Sequence, residues 1–306
     1  MNILVTGGSG FIGSHLVDGL AHAGHRVISL DRVPRGFEAL PLGAEFIEGD
    51  FGEAGDILAG EGIEVVYHTA WASIHETSNA DPAADIAANL IPTVRLLDQC
   101  RNAGVRRFVF LSSGGQVYGL PAKLPVPEDH PTHPISGYGI TKLAAEKYLL
   151  MFARQYGMEP VIFRPSVPYG PRQNPHRRQG AVSVFIHRAL NNLPVEIWGD
   201  GGGVRDYFYI DDLTRALVQA ADSPDIAGKT INLAGARVYS LNELLQAIRE
   251  ALGREIQVSY QPSRNFDVPS LELDTSLARS LLGWRPETDL PAGIRRMADW
   301  MLKWKL

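Results

Sequence analysis

The chain has 306 residues, 45% hydrophobic and 21% charged, enough to bury a sizeable core in one or two globular domains and too apolar for a disordered protein. A net charge of −5 supplies no basic field for nucleic acid or an anionic membrane, which points to a small ligand instead. A single cysteine, Cys100, excludes an internal disulfide, and no apolar run reaches the roughly 18 residues that span a membrane. With no basic-then-apolar leader at its start, the chain is expected in the cytoplasm, with Cys100 as a buried structural thiol.

Residues 2–6 read as a β-branched strand running into a glycine loop and then a helix from about Phe11. Further apolar strands are expected at 26–30, ending at Asp31; at 45–48, ahead of Asp50-Phe51; and at 64–68, ending at His68-Thr69-Ala70. A helix over 84–103, a strand over 107–111, a helix over 138–156 and a strand over 160–163 follow. This alternation, with unbroken apolar cores such as "ILV" and "FVFL", predicts an α/β fold with a doubly wound parallel sheet covered on both faces. Beyond Phe163, segments such as "RPSVPYGPRQNP" and "WGDGGGVRDY" separate helical patterns at 181–191, 213–222, 241–252 and near Trp300. They read as a second, smaller α/β domain whose loops close over the sheet's C-terminal edge. The expected division is 1–165 for the nucleotide domain, with 206–228 returning to it, and 166–205 plus 229–306 for the substrate domain. The Pro-rich stretch 120–136 has two readings, a connector, which is preferred, or a flap lining the site.

In "LVTGGSGFIGSH" two glycine spacings overlap: Gly8, Gly10 and Gly13 fit G-x-G-x-x-G, and Gly7, Gly10 and Gly13 fit G-x-x-G-x-x-G. Between a strand and a helix, such a loop lets backbone approach a pyrophosphate, and the helix start at Phe11 and Ile12 offers unpaired N–H groups and the positive end of its dipole. Asp31 stands where a carboxylate meets the adenosine ribose hydroxyls and repels a 2′-phosphate, so NAD is favoured over NADP, with adjacent Arg32 as a counter-signal. Asp50-Phe51 has two readings, an adenine contact or a turn after Gly49. The histidines show no HExxH or paired spacing, so no metal site is expected, and Gly7-Gly8-Ser9-Gly10-Phe11 lacks the spacing of a hydrolase nucleophile elbow.

"SGYGITKLAAEKYLL" places Tyr138 and Lys142 four apart, on one face at the start of a helix. A neighbouring ammonium, together with a cationic nicotinamide, is expected to favour the phenolate and make it a usable base toward a carbinol. In "LSSGGQVYG" strand alternation puts Ser112 on the side of Gly114, while two successive glycines let the turn present Ser113. Ser113 is the preferred hydroxyl, with a water held by both serines as the competitor.

Together, TGGSGFIG (6–13), Asp31, Asp50, HTA (68–70), SSGGQVYG (112–119), YGITK (138–142), YGPRQ (169–173), WGDGGGVRDY (198–207) and LGWRP (282–286) resemble the extended short-chain dehydrogenases/reductases. The resemblance covers nearly the full length and is greatest to the nucleotide-sugar epimerase/dehydratase group, which includes the UDP-glucose 4-epimerases. It implies a Rossmann domain that holds NAD, with Ala70 beside the cofactor, and a second domain that holds a nucleoside diphosphate-sugar, a UDP-sugar first of all. It further implies a 4-epimerase reaction, in which Tyr138 removes the sugar hydroxyl proton while hydride passes to the nicotinamide and returns to the ketone's other face. Arg205 and Arg264 match diphosphate-clasping positions, Asp267 would fix Arg264, and Trp198 matches a nucleobase contact. The helices matching 84–103 and 138–156 pair across a two-fold axis in such proteins, which implies a homodimer.

Three positions depart from that pattern: Gly114 where relatives carry a Ser or Thr that meets the substrate, Val167 where an Asn is usual, and Trp71 where a small residue is usual. Gly115-Gln116 stands where dehydratases carry an acidic pair, so sugar dehydration is not expected. The competing readings are a net sugar or carbinol oxidoreductase and a non-catalytic dinucleotide sensor.

Overall fold

The computed structural model describes residues 1–176, 180–263 and 270–306, so Arg264 and Asp267 lie outside the described residues. Six strands come first: β1 (Asn2–Thr6), β2 (Arg26–Asp31), β3 (Ala44–Glu48), β4 (Val65–His68), β5 (Arg107–Leu111) and β6 (Glu159–Pro165). Among the described residues they join Lys229–Leu233 in one seven-stranded parallel sheet, ordered Lys229–Leu233, β6, β5, β4, β1, β2, β3. The doubly wound sheet expected from the alternating elements is therefore present. Ile3 and Val5 enter one buried cluster and Leu4 the other, the period-two signature of a strand covered on both faces. Helices Phe11–His22 and Ile210–Gln219 pack together on the first face, and Ile91–Asn102 and Gly137–Tyr156 cover the second.

The strand Lys229–Leu233, expected in the second domain, instead forms the sheet's edge, in register with β6 from Lys229↔Val161 to Leu233↔Pro165. Its run "KTINL" is too short to announce a partner, and the sheet claims it through buried Ile231 and Leu233 and the Asn232 amide, which donates to Val126 O at 3.0 Å. The helix expected over 84–103 is Pro82–Asp85, a wider π-type turn Ile86–Leu90, and Ile91–Asn102. Pro92 has no N–H to continue the ordinary ladder, which accounts for the widening just before it. The Pro-rich stretch is a connector: Val126 is buried and bridges Leu273, the Glu128 carboxylate accepts Asn232 N, and only its last residue, Ser136, lines the cavity described below.

Outside the large sheet the described residues form three two-stranded pairs: Val167–Tyr169 with Tyr207–Tyr209, Val195–Trp198 with Val258–Gln261, and Val204–Arg205 with Tyr239–Ser240. Trp284 of the LGWRP run is buried and donates Nε1–H to Asp212 O, while the Asp212 carboxylate accepts from Glu287 N and Thr288 N. That fastens the C-terminal segment to the helix Ile210–Gln219. Cys100 is buried, and burial pushes its thiol above the usual range. No described helix is long and apolar enough to cross a membrane.

Candidate active site

The chain builds β1 to β3 outward in one direction and then resumes at β4 on the other side of β1, so the sheet has a switch point between β1 and β4. A cavity of about 1120 Å³ lies over the carboxyl ends of the strands there, and Trp198, Gly199 and Arg205 line it from segments beyond β6. Gly7, Gly10, Phe11, Ile12 and Gly13 line it, as do Asp31, Arg32, Phe51 and Ala70.

The two overlapping glycine spacings now separate. Gly7 has φ +72°, and a Cβ at Gly13 would fall 2.0 Å from Gly7 O, so this turn closes only without side chains. Gly8 serves packing instead, since its Cβ would lie 2.3 Å from Ser29 Oγ on β2. The helix Phe11–His22 begins at Gly10 with no side-chain cap, leaving its first N–H groups to an anion. Asp31 accepts Ser9 N at 3.0 Å and Arg32 N at 2.7 Å, which holds its carboxylate at the cavity edge. These features fit a dinucleotide. Asp50 caps a turn, accepting Gly52 N at 2.8 Å, and pairs with Arg32 at 2.5 Å. Although burial opposes it, these partners hold the Asp50 carboxyl below its usual range. Its neighbour Phe51 is the residue that lines the cavity.

The helix Gly137–Tyr156 enters the site with its first N–H groups occupied. Asn79 Oδ1 accepts Gly137 N, Ser78 Oγ accepts Tyr138 N, and Ser136 Oγ accepts Gly139 N while donating to Gln116 Oε1. Half-buried Tyr138 packs on His75 at 4.9 Å and Trp71 at 6.2 Å between ring centroids. Lys142 is buried; its Nζ donates to Leu111 O at 2.6 Å and sits 3.7 Å from the Trp71 ring centroid, against 5.8 Å from that of Tyr138. The expected priming of the phenol counted on two charges, the Lys142 ammonium and a cationic nicotinamide, and the chain supplies the first. Burial, and after it the Asp85 charge, push the Tyr138 phenol above its ordinary range. Burial also brings Lys142 down to about 7, against the opposing pull of Glu146 and Asp85. A partly charged ammonium directed at a carbonyl does not ionise the phenol by itself; a second positive charge beside Tyr138 is required.

Packing distinguishes the two serines, both of which line the cavity. The Ser112 hydroxyl is buried and donates to Glu146 Oε1. Ser113 lines the cavity at the start of the short helix Gly114–Val117, and its hydroxyl makes no cap bond there. Gly114, expected to mark a missing hydroxyl, faces away from the cavity: a Cβ there would meet Leu273 Cδ1 at 2.4 Å and Arg164 O at 2.9 Å. Val167 and Trp71 both line the cavity, as do Trp198 and Arg205, whose Nη1 donates to Val204 O at 2.7 Å.

Two buried polar groupings went unread in the sequence. Glu146 binds Arg164 through Nε at 3.0 Å and Nη2 at 2.6 Å, with both side chains buried. Glu146 lies one turn beyond Lys142, so helical spacing held a signal for it. Asp85, with Ser73, Asn89 and Thr141, forms the other, and no spacing announces it. His68 is buried and bridges Thr6 Oγ1 at 2.7 Å and Thr93 Oγ1 at 2.9 Å. Since Thr93 spends its proton on Asn89 O, His68 carries its hydrogen on Nε2; burial takes the imidazole down to about 3, and it is neutral. Among the described residues no group of three or more His, Cys, Asp or Glu side chains is placed to hold a metal ion.

Comparison with known proteins adds a family match. Residues 3–234 match the model of the NAD dependent epimerase/dehydratase family. A UDP-glucose 4-epimerase of Mycolicibacterium smegmatis is 38% identical over 307 residues, covering 98% of both chains. The crystal structure of Thermotoga maritima UDP-glucose 4-epimerase with UDP-glucose is similar at TM-score 0.93 and 36% identity, covering 100% of both chains. That of the Thermus thermophilus UDP-glucose 4-epimerase complex with NAD is similar at TM-score 0.91 and 35% identity, covering 99% of each.

Proposed function

The chain belongs to the NAD dependent epimerase/dehydratase family, and from that premise we propose that it is a nucleotide-sugar 4-epimerase that uses NAD and acts on a UDP-sugar. The observation that carries this reading is the meeting, in one cavity, of the glycine cradle with Tyr138 and Ser113. Gly7, Gly10 and Gly13 would hold the pyrophosphate, Asp31 the adenosine ribose, and Ala70 and Lys142 the nicotinamide end. NAD held there would supply the acceptor for a hydride from the sugar C4 and the donor that returns it to the opposite face of the ketone.

The residues of the chain manage the proton and the pose. Tyr138 takes the proton of the C4 hydroxyl and gives it back to the same oxygen, with the Ser113 hydroxyl lining the same cavity. Burial holds the proton on the phenol, and a neighbouring cation lowers the cost of ionising it. Arg205 would clasp the diphosphate and Trp198 the base, from the segments beyond β6. Gln116, a neutral amide, has no proton to give a leaving hydroxyl, which favours epimerisation over dehydration.

Incubation with UDP-, dTDP- and GDP-sugars, with no cofactor added, tests this reading. The expected result is isomer formation from a UDP-sugar without accumulation of NADH. Stoichiometric NADH release would instead establish a net oxidoreductase, and a sample with neither bound dinucleotide nor turnover a sensor. A homodimer belongs to the same proposal, since Ile86 and Ile91, and Ile140, Tyr148 and Met151 on the helix Gly137–Tyr156, expose apolar surface. Sedimentation at micromolar concentration is expected to give the dimer mass, and a monomer alone would remove this part. The location that fits such an enzyme is the cytoplasm.

A further inference from the structure

Asp85 belongs to no motif, yet it is only 3% exposed, directly behind the reacting groups. Its carboxylate is supplied with donors: Oδ1 accepts from the Ser73 hydroxyl and from Asn89 Nδ2 at 2.9 Å, and Oδ2 accepts from Thr141 Oγ1 at 2.5 Å. These donors sit on two sides of the site. Thr141 stands between Tyr138 and Lys142 on their helix, while Ser73 lines the cavity two residues after Trp71, whose indole covers Lys142 Nζ. Asn89 reinforces the tie by accepting Ala72 N at 2.7 Å, and the wide turn Ile86–Leu90 places it over Asp85. Asp85 thus clamps the loop carrying Trp71 and Ser73 to the helix carrying the reactive pair.

None of these three donors is a cation, and burying a carboxylate on neutral donors is costly, so packing alone does not account for the residue. The other ionisable groups around the pair differ. Glu146, on the same helix, spends its charge on Arg164 of β6; His68 of β4 is neutral; His75, from the helix His75–Ala80, meets Tyr138 through its ring. Asp85, in contrast to Glu146, meets its hydrogen-bond donors in Ser73, Asn89 and Thr141, all neutral.

We infer that Asp85 is a positioning residue for the reaction, a buried carboxylate that ties the loop of Trp71 and Ser73 to the helix of Tyr138 and Lys142, places its charge behind that pair, and fixes the Ser73 hydroxyl as a hydrogen-bond acceptor toward the cavity. The Ser73 proton is committed to Asp85, and Asn89 Nδ2 donates to Ser73 Oγ at 3.1 Å, so a lone pair is what remains. A ligand hydroxyl, as on a sugar or a ribose, satisfies it, and a carbonyl does not. The negative charge acts in one direction on both neighbours, holding the proton on Tyr138 and on Lys142.

The inference rests on the epimerase reading for its kinetic arm. In the NAD-loaded enzyme, Asp85→Asn is expected to move the rising limb of the kcat–pH profile to lower pH by roughly one unit, while Asp85→Glu, which keeps the charge, retains the wild-type limb at a reduced rate. A limb unmoved in Asp85→Asn, or moved equally in Asp85→Glu, overturns it. If Asp85→Asn does not fold, Thr141→Val removes one donor and leaves the charge less dispersed, and the limb is expected at higher pH; an unmoved limb counts equally against the inference. Wild-type enzyme that turns over no sugar would count against the epimerase reading alone. The ultraviolet titration of the Tyr138 phenolate, taken as wild type minus Tyr138→Phe, still reads the same shift, and its absence overturns the inference.

Discussion

Tyr138→Phe is expected to lower kcat for UDP-sugar epimerisation by about 10³-fold or more, while thermal stability and bound NAD stay at wild-type levels. The substitution keeps the ring that packs on His75 and Trp71 and deletes only the hydroxyl. The helix start that carries the residue is held by bonds to its backbone N–H groups from Ser78, Asn79 and Ser136, and none of these involves the phenol. A loss of rate with an intact fold therefore isolates the proton transfer. Retention of turnover to within ten-fold would assign the proton to another group, and Ser113 is the one to test next because it lines the same cavity. The single-turnover rate at saturating substrate, beside the melting temperature, makes the measurement.

Glu146→Gln is expected to cost about 3–5 kcal/mol of stability, the usual consequence of leaving one member of a buried ion pair without its partner. Arg164, 5% exposed, would keep its charge inside the protein with no carboxylate to meet it, and Ser112 and Arg164 would share the single amide oxygen that remains. The companion variant Glu146→Leu with Arg164→Met removes both charges and is expected to recover at least half of the loss, because well-packed apolar replacements of buried pairs are often neutral. Urea midpoints at constant slope give both values. A cost below about 1 kcal/mol for Glu146→Gln would mean that water reaches the pair. The same variant removes a negative charge that supports Lys142, so its ammonium is expected below its wild-type value of about 7.

The parts of this protein legible from sequence are those carried by short-range rules. Short continuous apolar runs at β1 and β5, bounded by turn residues, read as strands covered on both faces, and the glycines between β1 and the helix Phe11–His22 serve a turn that side chains would obstruct. Tyr138 and Lys142 share a helix face because the helix repeats every 3.6 residues. Each of these follows from neighbours a few positions apart.

Tertiary structure decided everything that depends on a distant partner. Spacing alone preferred Ser113 without showing what Ser112 meets; the approach of Glu146, 34 positions away, engages the Ser112 hydroxyl, while both serines line the cavity. Gly8 and Gly7 fit their spacings equally well until Ser29 of β2 occupies the space above Gly8. Lys229–Leu233 became the sheet's edge through pairing with β6, and Asp85 became part of the site because Ser73 and Thr141 meet over it. The number of partners available to a polar or edge group grows with the whole chain, while spacing reports only on its immediate surroundings; burial then selects the partner, because an unpaired polar group inside the fold costs too much to persist.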